Sequence, residues 1–385
     1  MDCTTFRAAS SNPTSSTSAK AFEALKTFST ITSRTDKIKA PSFTFAGLNQ
    51  NGAVKDADSK EIPGGIKVTD SVQTACGPAL NAVSVTERKT DTLFDFKAGK
   101  ANLVSPWRDV QWTEERRTSL MESICSYSPS SGEVTHARVL LLGPTRSGKS
   151  SFISSVQSVF NGRVTNRAMV GSSSTSFTKK LQSFNILGQK REDPTRLVLC
   201  DAMGLGDGEM TGLTLHDILT VIKGHVPEGH KFRPDQAVRS ETGNYVKWPS
   251  LKDKIHCVAF VVDASNMLAY SKGLRATFQQ LREHISDLGI HQVALLTHVD
   301  EVCPQTAKDV SEIYKSLTIR EMMRKAADLL GMSTSYIVPV KNYSSELDLD
   351  MNTDVLLLSA VDHILQYVDL YFQDNTPQGT GSEKE

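Results

Sequence analysis

The stretch ARVLLLGPTRSGKSSF, residues 137–152, constrains this chain more than any other part of it. An apolar run leads into G-x-x-x-x-G-K-S, and an amphipathic run follows. Gly143 and Gly148 permit the torsions that turn successive main-chain N–H groups into one concavity. That nest, with the positive end of the following helix, favours phosphate oxygens. In this pattern Lys149 neutralises the β- and γ-phosphates of a nucleotide and Ser150 ligates Mg2+. Ser147 and Ser151 flank them and complete the set of phosphate-side positions.

From residue 137 onward, buried-strand and amphipathic-helix patterns alternate. Strands are predicted at 137–143, 181–187, 196–202, 256–263, 291–297 and 335–340, and helices at 149–159, 213–222, 274–288, 306–330 and 353–372. Continuous apolar strands suit a parallel sheet covered on both faces. The alternation predicts a doubly wound, mostly parallel α/β fold over 135–373, of the P-loop NTPase (G domain) type. Residues 224–252 have no clear period and read as a surface insertion. Ahead of the fold, 101–134 reads as a linker and a leading helix with Thr113 as N-cap. Residues 1–100 are polar, rich in Ser, Thr and Gly, and predicted largely disordered. Residues 374–385 read as a flexible tail.

Lys+Arg and Asp+Glu are both 43, so no global field draws the chain to nucleic acid or an anionic membrane. None of the six cysteines forms a C-x-x-C pair, which points to a reducing compartment. No apolar stretch in the sequence approaches the ~20 residues of a bilayer span, and the N-terminus lacks a secretory apolar core. A cytoplasmic location is expected.

Companion motifs follow in order. The strand RLVLC ends in Asp201-Ala202-Met203-Gly204, a D-x-x-G. Asp201 would reach Mg2+ through water and the Gly204 amide would meet the γ-phosphate. Between this motif and the phosphate loop lies GSSSTSFT, 171–178. It supplies a hydroxyl for the Mg2+ shell, assigned to Thr175, with Thr178 next. The strand HQVALLT runs into Thr297-His298-Val299-Asp300, where G proteins carry N/T-K-x-D. A carboxylate at Asp300 accepts from guanine N1–H and the 2-amino group, donors that adenine lacks. Two charge-assisted bonds of about 1.5–3 kcal/mol each give roughly hundredfold preference or more. His298 stands where lysine is usual. After SYIVPV, the loop Lys341-Asn342-Tyr343-Ser344 falls where a main-chain N–H, assigned to Ser344, meets guanine O6.

These residues resemble the interferon-induced protein 44 family. The likeness starts at PWRDVQWTEERRTSLMESICSYSP and includes IKGHVPEGHKFRP, DKIHCVAFVVDAS, LLTHVD and VKNYSSELDLD, over roughly residues 105–373. The resemblance implies a cytoplasmic, interferon-induced GTP-binding protein with GTP/GDP and Mg2+ as ligands. It also implies protein partners in antiviral or inflammatory signalling. Where some members carry a TLDc-like domain, this chain has its polar N-terminal stretch.

Hydrolysis is expected to be slow. Leu205 follows Gly204 where many GTPases have a glutamine, and leucine cannot polarise water. Arg146 lies within the phosphate loop, as in guanylate-binding proteins. A head-to-head homodimer would let it stabilise transition-state charge; otherwise it is a solvated side chain. The two readings left open are a GTP-dependent switch and a nucleotide-binding scaffold with negligible turnover. An ATP-using enzyme is a third, disfavoured by Asp300.

Overall fold

The computed structural model describes residues 102–166, 168, 178–188, 194–206 and 211–375. The polar N-terminal region, Thr175 and the end of the tail lie outside them.

Six strands form one sheet: β1 Ala137–Leu142, β2 Gln182–Leu187, β3 Pro194–Asp201, β4 Cys257–Asp263, β5 His291–Thr297 and β6 Ile337–Pro339. Their order is β2-β3-β1-β4-β5-β6. β2 runs antiparallel to β3 and every other pairing is parallel. β4 shows why the strands read as unbroken apolar runs. Its Cys257, Val258, Ala259, Phe260, Val261 and Val262 are all buried, because helices cover both faces. This is the doubly wound, mostly parallel P-loop fold that the alternation predicts.

One face carries α1 Glu114–Ser126, α2 Lys149–Asn161 and α8 Met351–Asn375; the other carries α3 Leu215–Ile222, α4 Lys272–Asp287 and α7 Leu317–Leu330. Side-chain caps set several starts. Thr113 accepts from the Arg116 amide at α1, and Thr214 and Asp217 form a reciprocal capping box at α3. α1 buries Leu120, Met121 and Ile124 against α8, so the leading helix shares the core of the sheet domain.

The single helix expected at 306–330 is broken. A short α5 (Val299–Val302), α6 (Pro304–Lys308) and a 3-10 turn at Val310–Lys315 precede α7. Asp309 and Ser316 cause the breaks. The Asp309 carboxylate accepts from the Ser311 amide at 2.9 Å and the Ser316 hydroxyl from the Ile319 amide at 3.3 Å, each in extended backbone.

The stretch 224–252 contains little regular structure yet is pinned down. Its main chain pairs with the segment leading into β2, through Phe232 N to Lys179 O and Leu181 N to His230 O, both 2.9 Å. Val226, Phe232 and Val238 are buried at irregular spacing, which no periodicity reveals.

Among the described residues, α8 alone is long and apolar enough to cross a membrane by length and composition. The sequence reading admitted no such segment. In this fold most of α8 is buried, with Val355, Leu356, Leu357, Val361 and Ile364 in the core beside β4 and β5.

Candidate nucleotide site

The phosphate loop leaves β1 at Gly143 and enters α2 at Lys149. Gly148 sits at φ +89°, a left-handed conformation that glycine adopts without a Cβ clash, and Arg146 is at φ +68°. No side chain caps the N-terminus of α2. Its first amides are therefore left for another acceptor. The Lys149 ammonium is buried and donates to the carbonyls of Gly143 at 3.0 Å and Pro144 at 2.6 Å. Burial lowers its pKa to about 8, against the pull of the Asp201 carboxylate. Ser147 is buried, with no hydrogen-bond partner for its hydroxyl; Ser151 is half-buried on α2, and Arg146 is exposed.

β3 delivers Asp201 to the same place. Its Oδ2 accepts from the Ser150 hydroxyl at 2.5 Å and the Thr178 hydroxyl at 3.3 Å, and the two hydroxyls are 3.4 Å apart. Asp201 Oδ1 is buried and has no partner. Burial raises the Asp201 pKa, opposed by Lys149 and both hydroxyls. Two hydroxyls and a carboxylate with an unsatisfied oxygen form a hard-oxygen donor set suited to Mg2+. Of the hydroxyls in 171–178, Thr178 is in this cluster.

Gly204 lies hard against the phosphate loop: a Cβ there would come within 2.6 Å of the Thr145 amide nitrogen. The next residue, Leu205, is buried, and its amide donates to the Gly143 carbonyl at 3.0 Å. The position that a glutamine would need for orienting water is thus turned into the core.

β5 brings the base-side motif alongside. Thr297 is fully buried and its hydroxyl donates to the Ser147 carbonyl. His298, at φ +54°, caps α5, and its Nδ1 is 3.1 Å from Asp263 Oδ1 at the end of β4. Burial opposes a charged His298, but Asp263, with Glu301 and Asp300 behind it, outweighs burial and raises the pKa. Asp300 is half-buried in the first turn of α5. Its pKa is raised by burial and opposed by its own amide, Lys341 and His298.

The loop after β6 closes the group. Asn342 Nδ2 donates to the Gly148 carbonyl at 3.2 Å, and the Tyr343 amide donates to the Ser155 hydroxyl at 2.9 Å. Asn342 Oδ1 is buried without a partner. The Ser344 amide, expected to meet a base, donates to Glu346 Oε2 at 2.7 Å. Partial burial works against charge on Glu346. The Ser344 amide, its own amide and Lys341 nevertheless hold its carboxyl at about 2.

Asp263, Glu346 and Thr145 escaped sequence reasoning. Asp263 had a usable signal: it ends a parallel strand at the carboxyl edge of the sheet, where doubly wound folds bind ligands.

No family model matches the chain. Relatives do. Human interferon-induced protein 44 is 37% identical over 306 residues, covering 80% of this chain and 69% of that protein. The chimpanzee (Pan troglodytes) protein of the same name gives the same identity and coverage. Human interferon-induced protein 44-like is 37% identical over 291 residues, 75% of this chain and 64% of its own. Among solved structures, Aquifex aeolicus Era bound to GDP.AlF4- aligns over 60% of this chain and 56% of its own, at 14% identity and a TM-score of 0.32. The LeoA bacterial dynamin GTPase from ETEC aligns over 68% and 40%, at 16% and 0.37. These scores add nothing to what the strand order says. The chain belongs to the interferon-induced protein 44 family.

Proposed function

We propose that this protein binds GTP and GDP with Mg2+ and acts as a nucleotide-dependent switch in the interferon response. The observation that carries the reading is the convergence of three separated segments. The loop 143–150, which opens the uncapped α2, meets Asp201 and Thr178 through Ser150, and Thr297 of the Thr297–Asp300 motif through Ser147. The loop amides and Lys149 take the polyphosphate. Ser150, Asp201 and Thr178 are the residues to hold Mg2+, which offsets phosphate charge when bound. Gly204 meets the γ-phosphate, and Asp300 accepts from the guanine edge. To engage phosphate, Lys149 exchanges the Pro144 carbonyl for a phosphate oxygen. A protein partner that reads the loops ordered by GTP completes an antiviral switch, and its place of action is the cytoplasm. Calorimetric titration with GTP, GDP and ATP in Mg2+ tests the reading. Guanine nucleotides should bind and ATP should bind far more weakly; equal affinities would refute it.

A second reading, a nucleotide-binding scaffold with negligible turnover, is favoured by the buried Leu205. Single-turnover hydrolysis separates the two. If a head-to-head homodimer brings Arg146 to the γ-phosphate, turnover per molecule rises with protein concentration, and Arg146→Ala abolishes the rise. Turnover independent of concentration removes Arg146 from the chemistry.

A further inference from the structure

The base-side loop is held from beneath by a buried polar chain that starts outside the strand–helix repeats. On α1, Arg117 Nε donates to Asp354 Oδ2 of α8 at 2.7 Å, and Arg117 Nη1 to the exposed Glu114 at 2.8 Å. The Asp354 side chain is 1% exposed. Its other oxygen, Oδ1, accepts from the Tyr343 hydroxyl at 2.7 Å, and that hydroxyl accepts from the Asp350 amide at 2.8 Å. The Tyr343 main chain then bonds Ser155 of α2, and its neighbour Asn342 bonds Gly148 of the phosphate loop. One carboxylate therefore joins the leading helix, the last helix and the loop after β6. A buried carboxylate that keeps both oxygens satisfied fixes its partners, since losing either leaves charge without compensation.

We propose that Arg117 and Asp354 are positioning residues for guanine recognition, so that the leading helix α1 is a working part of the base site. The proposal rests on the guanine-nucleotide reading above. Arg117 orients Asp354, Asp354 fixes the Tyr343 ring, and the ring sets the 341–344 loop beside Asp300. The phosphate loop is held by β1, α2 and the Thr297–Ser147 bond as well as by Asn342, so it keeps its place when the 341–344 loop loosens. Disturbing the chain should therefore loosen the base and spare the phosphates. Linkage makes the effect reciprocal: a bound guanine base tightens the docking of α1 on α8.

The test titrates the full chain with GDP and inorganic pyrophosphate in Mg2+, comparing wild type with Tyr343→Phe, Arg117→Met and Glu122→Ala, an exposed control on the same helix. Tyr343→Phe and Arg117→Met should weaken GDP about tenfold, the worth of one charge-assisted bond, and leave pyrophosphate unchanged. Glu122→Ala should change neither. A role in stability alone would lower the melting temperature while the ratio of GDP to pyrophosphate affinity stayed constant, and that result overturns the proposal. Unchanged GDP affinity in a folded variant overturns it as well, with the nucleotide reading intact. If Arg117→Met fails to fold, Tyr343→Phe, which keeps the ring, decides the matter. A wild type that binds neither GDP nor pyrophosphate refutes the nucleotide reading itself, and this proposal with it.

Discussion

The Thr297 hydroxyl donates to the main-chain carbonyl of Ser147 at 2.7 Å, joining residues 150 positions apart. Thr297 ends β5 and Ser147 lies in the phosphate loop, so this one bond fixes the spacing between the base-side motif and the phosphate cradle. It also explains why a hydroxyl residue stands at this place. Thr297→Val keeps the shape and removes the donor. The variant should lose about 1–3 kcal/mol of unfolding free energy, the cost of a buried carbonyl left unpaired. Thr297→Ser should retain most of it. Urea denaturation of the three proteins checks this.

Leu205 occupies the position of a water-orienting glutamine but is packed in the core, with its amide on Gly143. Restoring glutamine there should not restore hydrolysis. Leu205→Gln buries an amide without a partner and should cost about 2–4 kcal/mol of stability, with no gain in single-turnover rate. A stable Leu205→Gln protein that hydrolyses GTP faster would mean that the loop swings outward in the nucleotide complex.

Two histidines predict opposite pH behaviour. The His298 pKa is raised above the ordinary 6.5, since Asp263 outweighs burial. Its contribution to stability is whole below pH 6.5 and is lost as pH rises through the raised value. His298→Gln should remove that decline. His256 is buried and neutral. Its Nδ1 accepts from the Arg138 amide, and its Nε2 is 3.0 Å from the Leu251 carbonyl. Burial, aided by Arg138 and opposed by the Leu251 bond, lowers its pKa to about 4. Its contribution is present above pH 6.5 and fades as pH falls toward 4, by about 3 kcal/mol in all. His256→Asn should flatten the acid limb. Chemical denaturation at stepped pH measures both slopes.

β1, β3, β4 and β5 were legible because each holds an apolar run that ends at a Gly, Asp or Thr, whereas β2 is mixed, with Ile186 its one buried residue. Their pairing partners follow from the fold rather than from local pattern, as does the antiparallel direction of β2 against β3. The helix expected over 306–330 hid two breaks, because Asp309 and Ser316 look like ordinary helix-surface residues until their side chains take the following amides. At the candidate site, spacing pointed to Lys149, Ser150 and Asp201, and the fold brings these three together. Thr178 was one hydroxyl among several in the sequence, and its contact with Asp201 places it in the oxygen cluster. Glu346 reads as a solvated loop acid, yet it accepts from the amides of Ser344 and Ser345.

The central claim is that one site holds a polyphosphate at Lys149 and a guanine edge at Asp300. Calorimetric titration of wild type and Asp300→Asn with GDP and XDP in Mg2+ tests it most directly. Wild type should bind GDP and discriminate against XDP; in Asp300→Asn the preference should reverse, because an amide accepts poorly from guanine N1–H but pairs with the xanthine carbonyl. A wild type indifferent to GDP at millimolar concentration, or an unchanged preference in Asp300→Asn, would contradict the account.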